Sequence, residues 1–110
     1  MRKFNRKTGP RRIFMKSMTA NLIMKERIET TEARAKELRP AVERMITIAK
    51  KQGVANLRRL LAKLPKNAAQ KVFYEIGPRY VDRRGGYTRI TKLDTLRKRD
   101  GVKKAIIEFV

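Results

Sequence analysis

Residues 30–53 read TTEARAKELRPAVERMITIAKKQG, and the fold turns on this stretch. Ala35, Leu38, Val42, Met45, Ile46 and Ala49 recur at the three- and four-residue spacing that lines one side of a helix. Glu32 with Lys36, and Arg39 with Glu43, stand four apart on the wet side, where such pairs contribute about 0.2–0.5 kcal/mol each. Thr30 or Thr31 can cap the start by accepting a backbone N–H, and Glu32 then sits in the first turn, where the helix dipole favours an acid. Pro40 inside the pattern predicts a kink or a split, and Gly53 predicts the end.

Outward from that helix the periodicity changes twice. On its N-terminal side, Arg27-Ile28-Glu29-Thr30 reads as a short strand. Before it, from Arg11 to about Met24, Phe14, Met15, Met18 and Leu22 share a helical face, and Arg12 and Lys16 project from the other. The methionines read as core packing. Residues 1–10, with Gly9-Pro10 and no period, read as a basic extended arm. On the C-terminal side a helix over 54–64 offers Val54, Leu57, Leu61 and Leu64 to the core, shows Arg59 and Lys63 outside, and is broken by Pro65. A further helix over 67–76 offers Ala69, Val72, Phe73 and Ile76, and Gly77-Pro78 stops it. Residues 87–93 and 104–110 are rich in β-branched and aromatic types and read as strands, with a turn at Asp100-Gly101. The order is α-β-α-α-α-β-β, an α+β fold: a basic extended arm over 1–10 and a single α/β domain over 11–110.

Composition narrows the function. The 110 residues hold 30 Lys and Arg against 10 Asp and Glu, a net charge of +20. So much like charge on a small body repels itself unless a polyanion lies against it. The 41% apolar content supports a modest core. With no Cys and no His, the chain lacks disulfides, thiolates, the usual neutral-pH general base and the commonest zinc ligand, so neither an enzyme nor a metal or cofactor site is expected. No apolar run approaches the ~18–20 residues of a membrane span. The acid-free first 25 residues resemble a mitochondrial presequence in composition, but their apolar positions fit a helix of the folded body.

Charge is also segmented. Residues 1–25 carry +8, residues 26–49 are neutral, residues 50–74 carry +7 without one acid, and residues 75–110 carry +5. This is a neutral helix between cationic surfaces. Three clusters are candidate phosphate contacts: Arg2, Lys3, Arg6, Lys7, Arg11, Arg12 and Lys16; then Lys50, Lys51, Arg58, Arg59, Lys63, Lys66 and Lys71; then Arg79, Arg83, Arg84, Arg89 and Lys92. Each base alone could equally be a solvated side chain; together they exceed what solubility needs and predict steeply salt-dependent binding. In the third cluster Gly85 and Gly86 would let backbone amides approach a phosphate, Arg84 and Arg89 could fork onto its oxygens, and Tyr87 could either stack on an unpaired base or pack in the core.

Two other patterns are weaker. The helices at 54–64 and 67–76 imitate a helix-turn-helix, which leaves an architectural or regulatory DNA-binding protein as the alternative, but the second carries only Lys71 as a base. Glu26, Glu29 and Glu32 are spaced like metal ligands, yet each has basic neighbours.

The runs Glu26-Arg27-Ile28-Glu29-Thr30-Thr31, Arg34-Ala35-Lys36-Glu37-Leu38-Arg39-Pro40, Ile46-Thr47-Ile48-Ala49-Lys50-Lys51, Ile76-Gly77-Pro78-Arg79-Tyr80, Asp82-Arg83, Gly85-Gly86-Tyr87-Thr88-Arg89-Ile90 and Ile106-Ile107-Glu108-Phe109-Val110 occur in order. Together they resemble the bacterial large-subunit ribosomal protein seventeen family. The resemblance implies helices packed on one face of a small three-stranded sheet and a structural, non-enzymatic role in the large ribosomal subunit. It further implies large-subunit ribosomal RNA as partner near the rim of the peptide exit tunnel, large-subunit proteins twenty-two and thirty-two as neighbours, and no membrane or small-molecule substrate. The ribosome would be that of a bacterial cytoplasm or a bacterial-type organelle. Carried over, it favours Arg83, Arg84, Tyr87, Arg89 and the arm from Arg2 to Arg12 as RNA-facing. The chain departs from the family in its shorter arm, with Gly9-Pro10-Arg11-Arg12 where a His-Arg pair is usual.

Overall fold

The computed structural model describes residues 8–96, 101 and 103–110, with side chains from 12–93, 101 and 103–110. Helix α1 (Thr8–Lys25) leads into strand β1 (Arg27–Thr31), the long α2 (Glu32–Lys50) and α3 (Val54–Lys63). Helix α4 (Lys66–Lys71) runs on through a π-helical turn, Val72–Ile76, and a last helical turn, Gly77–Arg79. Strands β2 (Thr88–Leu96) and β3 (Lys103–Phe109) complete an antiparallel sheet of order β1-β3-β2.

One face of the sheet meets the helices. Ile28, Ile90, Ala105 and Ile107 alternate inward and pack with the buried stripe of α2, whose Ala35, Leu38, Val42, Met45, Ile46 and Ala49 are joined by Ile48. The other face carries Arg27, Glu29, Arg89 and Glu108. Thr31 caps α2, its Oγ1 accepting the Arg34 N–H at 3.2 Å. Pro40 does not split α2. A proline forgoes one helical bond, to the carbonyl four residues back, and Pro40 and Lys36 both lie on the exposed side, where water can take that carbonyl.

Three readings of the helices are corrected by the structure. Helix α1 begins at Thr8, so Gly9 and Pro10 belong to its first turn, where a missing N–H costs nothing; residues 1–7 lie outside the described residues. The core face of α3 is Leu57, Leu60 and Leu64, not the stripe through Val54 and Leu61, which are 66% and 41% exposed. Gly77-Pro78 does not stop the fourth helix. The Gly77 N–H bonds Val72 O instead of the carbonyl four residues back, and this wider turn leaves Phe73 O to the Gln52 side-chain amide at 3.1 Å. Pro78, which has no N–H to give, therefore continues the helix from a turn already loosened ahead of it. Gly77 also lets this segment touch the end of α2: a Cβ there would lie 2.9 Å from the Ala49 Cβ.

Candidate nucleic-acid interface

The cations divide by whether an acceptor lies within reach. At the corner between α1 and β1, Glu26 adopts a left-handed backbone (φ 65) that turns helix into strand. Its N–H donates to Leu22 O at 2.6 Å, and its carbonyl accepts from Phe109 N at 3.1 Å. Its carboxylate takes Arg79 in a short hydrogen bond and Lys71 at 3.2 Å; Lys71 also donates to Met24 O at 2.8 Å. The hydrogen bond from Arg79 leads in holding the Glu26 carboxyl below its ordinary range, against the opposing effect of burial, with Lys71 adding to the lowering. Two predicted phosphate contacts, Lys71 and Arg79, are thus anchors joining α4 and its continuation to the α1–β1 corner.

The Gly85-Gly86 loop is built on a second anchor. Lys50, at the end of α2, donates from Nζ to Tyr87 Oη at 2.8 Å and to the Arg83 carbonyl, and sits 5.0 Å from the Tyr87 ring centroid. The Tyr87 hydroxyl donates to the same carbonyl at 3.2 Å. Tyr87 is 1% exposed and lies against Tyr80, whose hydroxyl donates to Val110 O at 2.7 Å. Of the two readings of Tyr87 the structure selects the core. Its ring is not available to stack on a base, and Lys50 is spent on the loop's underside. Above them Arg83, Arg84 and Gly85 are exposed; Gly86 turns the chain at φ 64, and Arg83 Nε donates to Gly85 O at 3.1 Å.

On the open face of the sheet Arg89 donates from Nε and Nη2 to one Glu108 oxygen, at 3.2 and 3.0 Å, and Arg27 approaches the other at 3.7 Å. Lys92 pairs with Glu32 at 3.5 Å. Both Arg89 and Lys92 remain exposed, but each comes with an acid beside it. Glu26, Glu29 and Glu32 point to separate cations, and among the described residues no three acidic side chains gather as a metal site.

The middle cluster is different. Lys51, Arg58, Arg59, Lys63 and Lys66 are exposed on α3 and its flanks, and none has a carboxylate partner among the described residues. Among the described residues Arg59 reaches only the Asn56 side chain, at 3.4 Å. Since Leu57, Leu60 and Leu64 turn inward, the opposite side of α3 is a cationic ridge by helical geometry alone. Arg12 and Lys16 are exposed on α1 in the same unpaired state, while Arg2, Lys3, Arg6, Lys7 and the Arg11 side chain lie outside the described residues. The would-be recognition helix buries Ala68, Ala69, Val72, Phe73 and Ile76, so it is a core element.

A model of the ribosomal protein L17 family matches residues 14–110. The chain belongs to that family. Among relatives named large ribosomal subunit protein bL17, that of Hydrogenobaculum sp. (strain Y04AAS1) is 49% identical over 97% of this chain and 92% of its own length. That of Fusobacterium nucleatum is 49% identical over 99% and 94%, and that of Staphylococcus carnosus 46% identical over 99% and 98%. No described helix in this L17-family chain is long and apolar enough to cross a membrane. Sequence reading missed Lys25, Arg44 and Lys103, which are exposed without a carboxylate partner among the described residues. Their signal was only being isolated bases outside any cluster.

Proposed function

We propose that this chain binds folded large-subunit ribosomal RNA through the unpaired cations of α3, the Arg83–Gly85 loop top and the N-terminal part of α1, and that the arm before α1 extends the same contact. As a member of the ribosomal protein L17 family it is a structural constituent of the large ribosomal subunit and not an enzyme, and its bacterial relatives put it in the cytoplasmic ribosome. The observation that carries the RNA reading is the segregation of charge: residues 50–74 hold seven bases and no acid, and those not tied into the fold are exposed on the outer side of α3 and its flanks. Such a ridge neutralises phosphates without reading base edges, which suits a protein that lies where RNA segments converge. A place at the peptide-exit-tunnel rim beside proteins twenty-two and thirty-two rests on the family resemblance.

Competition at matched salt tests it, with labelled large-subunit ribosomal RNA displaced by unlabelled RNA or by duplex DNA. The RNA should compete better, with affinity falling steeply as salt rises; preference for the duplex would overturn the reading. In assembled subunits, crosslinks from the exposed loop at Arg84 should reach RNA, and the neighbouring proteins should join this chain from other faces.

A further inference from the structure

Strand β1 lies at an edge of the sheet, and its hydrogen-bond parity fixes which backbone groups it leaves unused. Phe109 N donates to Glu26 O at 3.1 Å and Val110 N to Tyr87 O at 3.0 Å. With Arg27 and Arg89 both opposite Glu108, residues 105, 107 and 109 of β3 bond toward β1, while 106 and 108 bond toward β2. Ile28 and Thr30 therefore spend their N–H and C=O on the sheet. Those of Arg27 and Glu29, and the N–H of Thr31, point away from it, and no described residue pairs with them.

A groove follows that edge. One depression is lined by Arg27, Ile28, Glu29 and Thr30 in succession, with Met18, Asn21 and Lys25 of α1 as its far wall. A second, sharing Glu29 and Thr30, adds Thr31, Arg34 and Lys104. Successive strand residues point to opposite faces, so a cavity touching four in a row runs along the strand's margin and not over either face. We propose that this groove takes an extended, acidic segment of a neighbouring protein, which adds to β1 as a fourth strand. Three features favour that occupant. Alternating outward N–H and C=O groups are matched by another peptide backbone and not by a sugar-phosphate chain. Lys25 and Arg34 border the groove without a carboxylate partner among the described residues, Arg27 shares Glu108 with Arg89, and the groove's own acid, Glu29, is paired with Lys104 at 3.4 Å, so the margin keeps a net positive charge. The opposite edge, β2, carries a register irregularity between Lys92 and Leu96 of the kind that blunts an edge, whereas β1 pairs regularly over its length. The proposal does not depend on the RNA reading.

The test exploits the parity. Proline at 29 removes an outward N–H and leaves the β1–β3 ladder intact, whereas Glu29→Ala removes only the side chain and its ion pair. A photo-crosslinking residue in place of Asn21, in assembled large subunits, should join one extended acidic segment of a neighbouring protein. Glu29→Pro should cut that product about tenfold, the equivalent of one missing ladder bond with the clash of the ring, and Glu29→Ala should leave more than about half. A product with RNA, no product, or equal loss in both variants overturns the proposal. A reading without variants is amide exchange in the full wild-type chain with a short peptide of alternating Thr and Glu. Exchange should slow at Arg27, Glu29 and Thr31, and unchanged exchange, or slowing by a single-stranded oligonucleotide instead, counts against it. Ribosomal RNA affinity of the free Glu29→Pro chain should stay at the wild-type level, which separates this surface from the cationic ridge.

Discussion

Around Glu26 two cations, Lys71 and Arg79, converge on one carboxylate, whereas Arg58, Arg59 and Lys63 along α3 and Lys66 just beyond it meet none among the described residues. The residue types are the same; the difference is whether an acid was placed within reach. Where it was, the cation ties elements together and its charge is largely cancelled. Where it was not, the charge stays available to a polyanion at a cost in self-repulsion. Stability and binding should therefore separate by region, and substitutions in each region can break that separation.

The largest effect belongs to the anchor under the loop. Tyr87→Ala should cost about 3–5 kcal/mol, because a fully enclosed aromatic ring is removed and a cavity is left. Tyr87→Phe keeps the ring and loses only the hydroxyl's bonds to Lys50 and Arg83, about 1 kcal/mol. Thermal melting distinguishes the two. A Tyr87→Ala chain that melts normally but no longer binds RNA would restore the base-stacking reading and break the comparison. Next in size, replacing Arg58, Arg59, Lys63 and Lys66 together by Gln should weaken ribosomal RNA binding on the order of a hundredfold at 0.1 M salt. The log–log salt slope should flatten by roughly 0.7–0.9 for each phosphate no longer neutralised. Melting should move by no more than about 0.5 kcal/mol in equivalent stability. A large loss of stability with unchanged affinity would assign the ridge to the fold.

How far the sequence showed this depends on the kind of information each feature needs. The stripe of α2 and the inward residues of α4 were legible because they follow from period alone. The α3 stripe was misread because Val54, Leu57, Leu61 and Leu64 also satisfy helical spacing, and only the direction of approach of α2 and α4 selects Leu60 over Leu61. The continuation past Pro78 was hidden for a similar reason: Gln52, 21 residues before Phe73, takes the carbonyl that the π turn leaves over. Clusters of bases were visible, but their partners were not. Lys50 meets Tyr87 across 37 residues and Lys71 meets Met24 across 47, separations that local pattern cannot foresee.

The Glu26 corner gives a smaller effect with a definite sign in pH. Glu26→Gln should destabilise by about 1 kcal/mol, discounted for the partial exposure of the carboxylate, and leave RNA affinity no weaker, since a negative charge is removed. The folded carboxyl titrates below its unfolded value, so its stabilisation is complete above the ordinary carboxylate range and is lost as pH falls through the depressed folded value. Urea unfolding from neutral pH downward should show wild type and Glu26→Gln converging on the acid side. Curves that stay parallel throughout would mean that the corner is held by its backbone bonds to Leu22 and Phe109 and not by charge.

The smallest difference sharpens the comparison most, because it sets two exposed arginines five residues apart against each other. Arg84 has no acid partner among the described residues and sits atop an anchored loop, whereas Arg89 shares Glu108 with Arg27. For Arg89 to fork onto a phosphate it must leave that carboxylate, or carry it into repulsion with the RNA. Arg84→Gln should lower RNA affinity by about five- to tenfold, the worth of one charge-assisted contact, and Arg89→Gln by less than about twofold, both with melting unchanged. If Arg89→Gln proves the more damaging, the Glu108 pair is a resting state that RNA displaces, and possession of a carboxylate partner would no longer mark a cation as belonging to the fold.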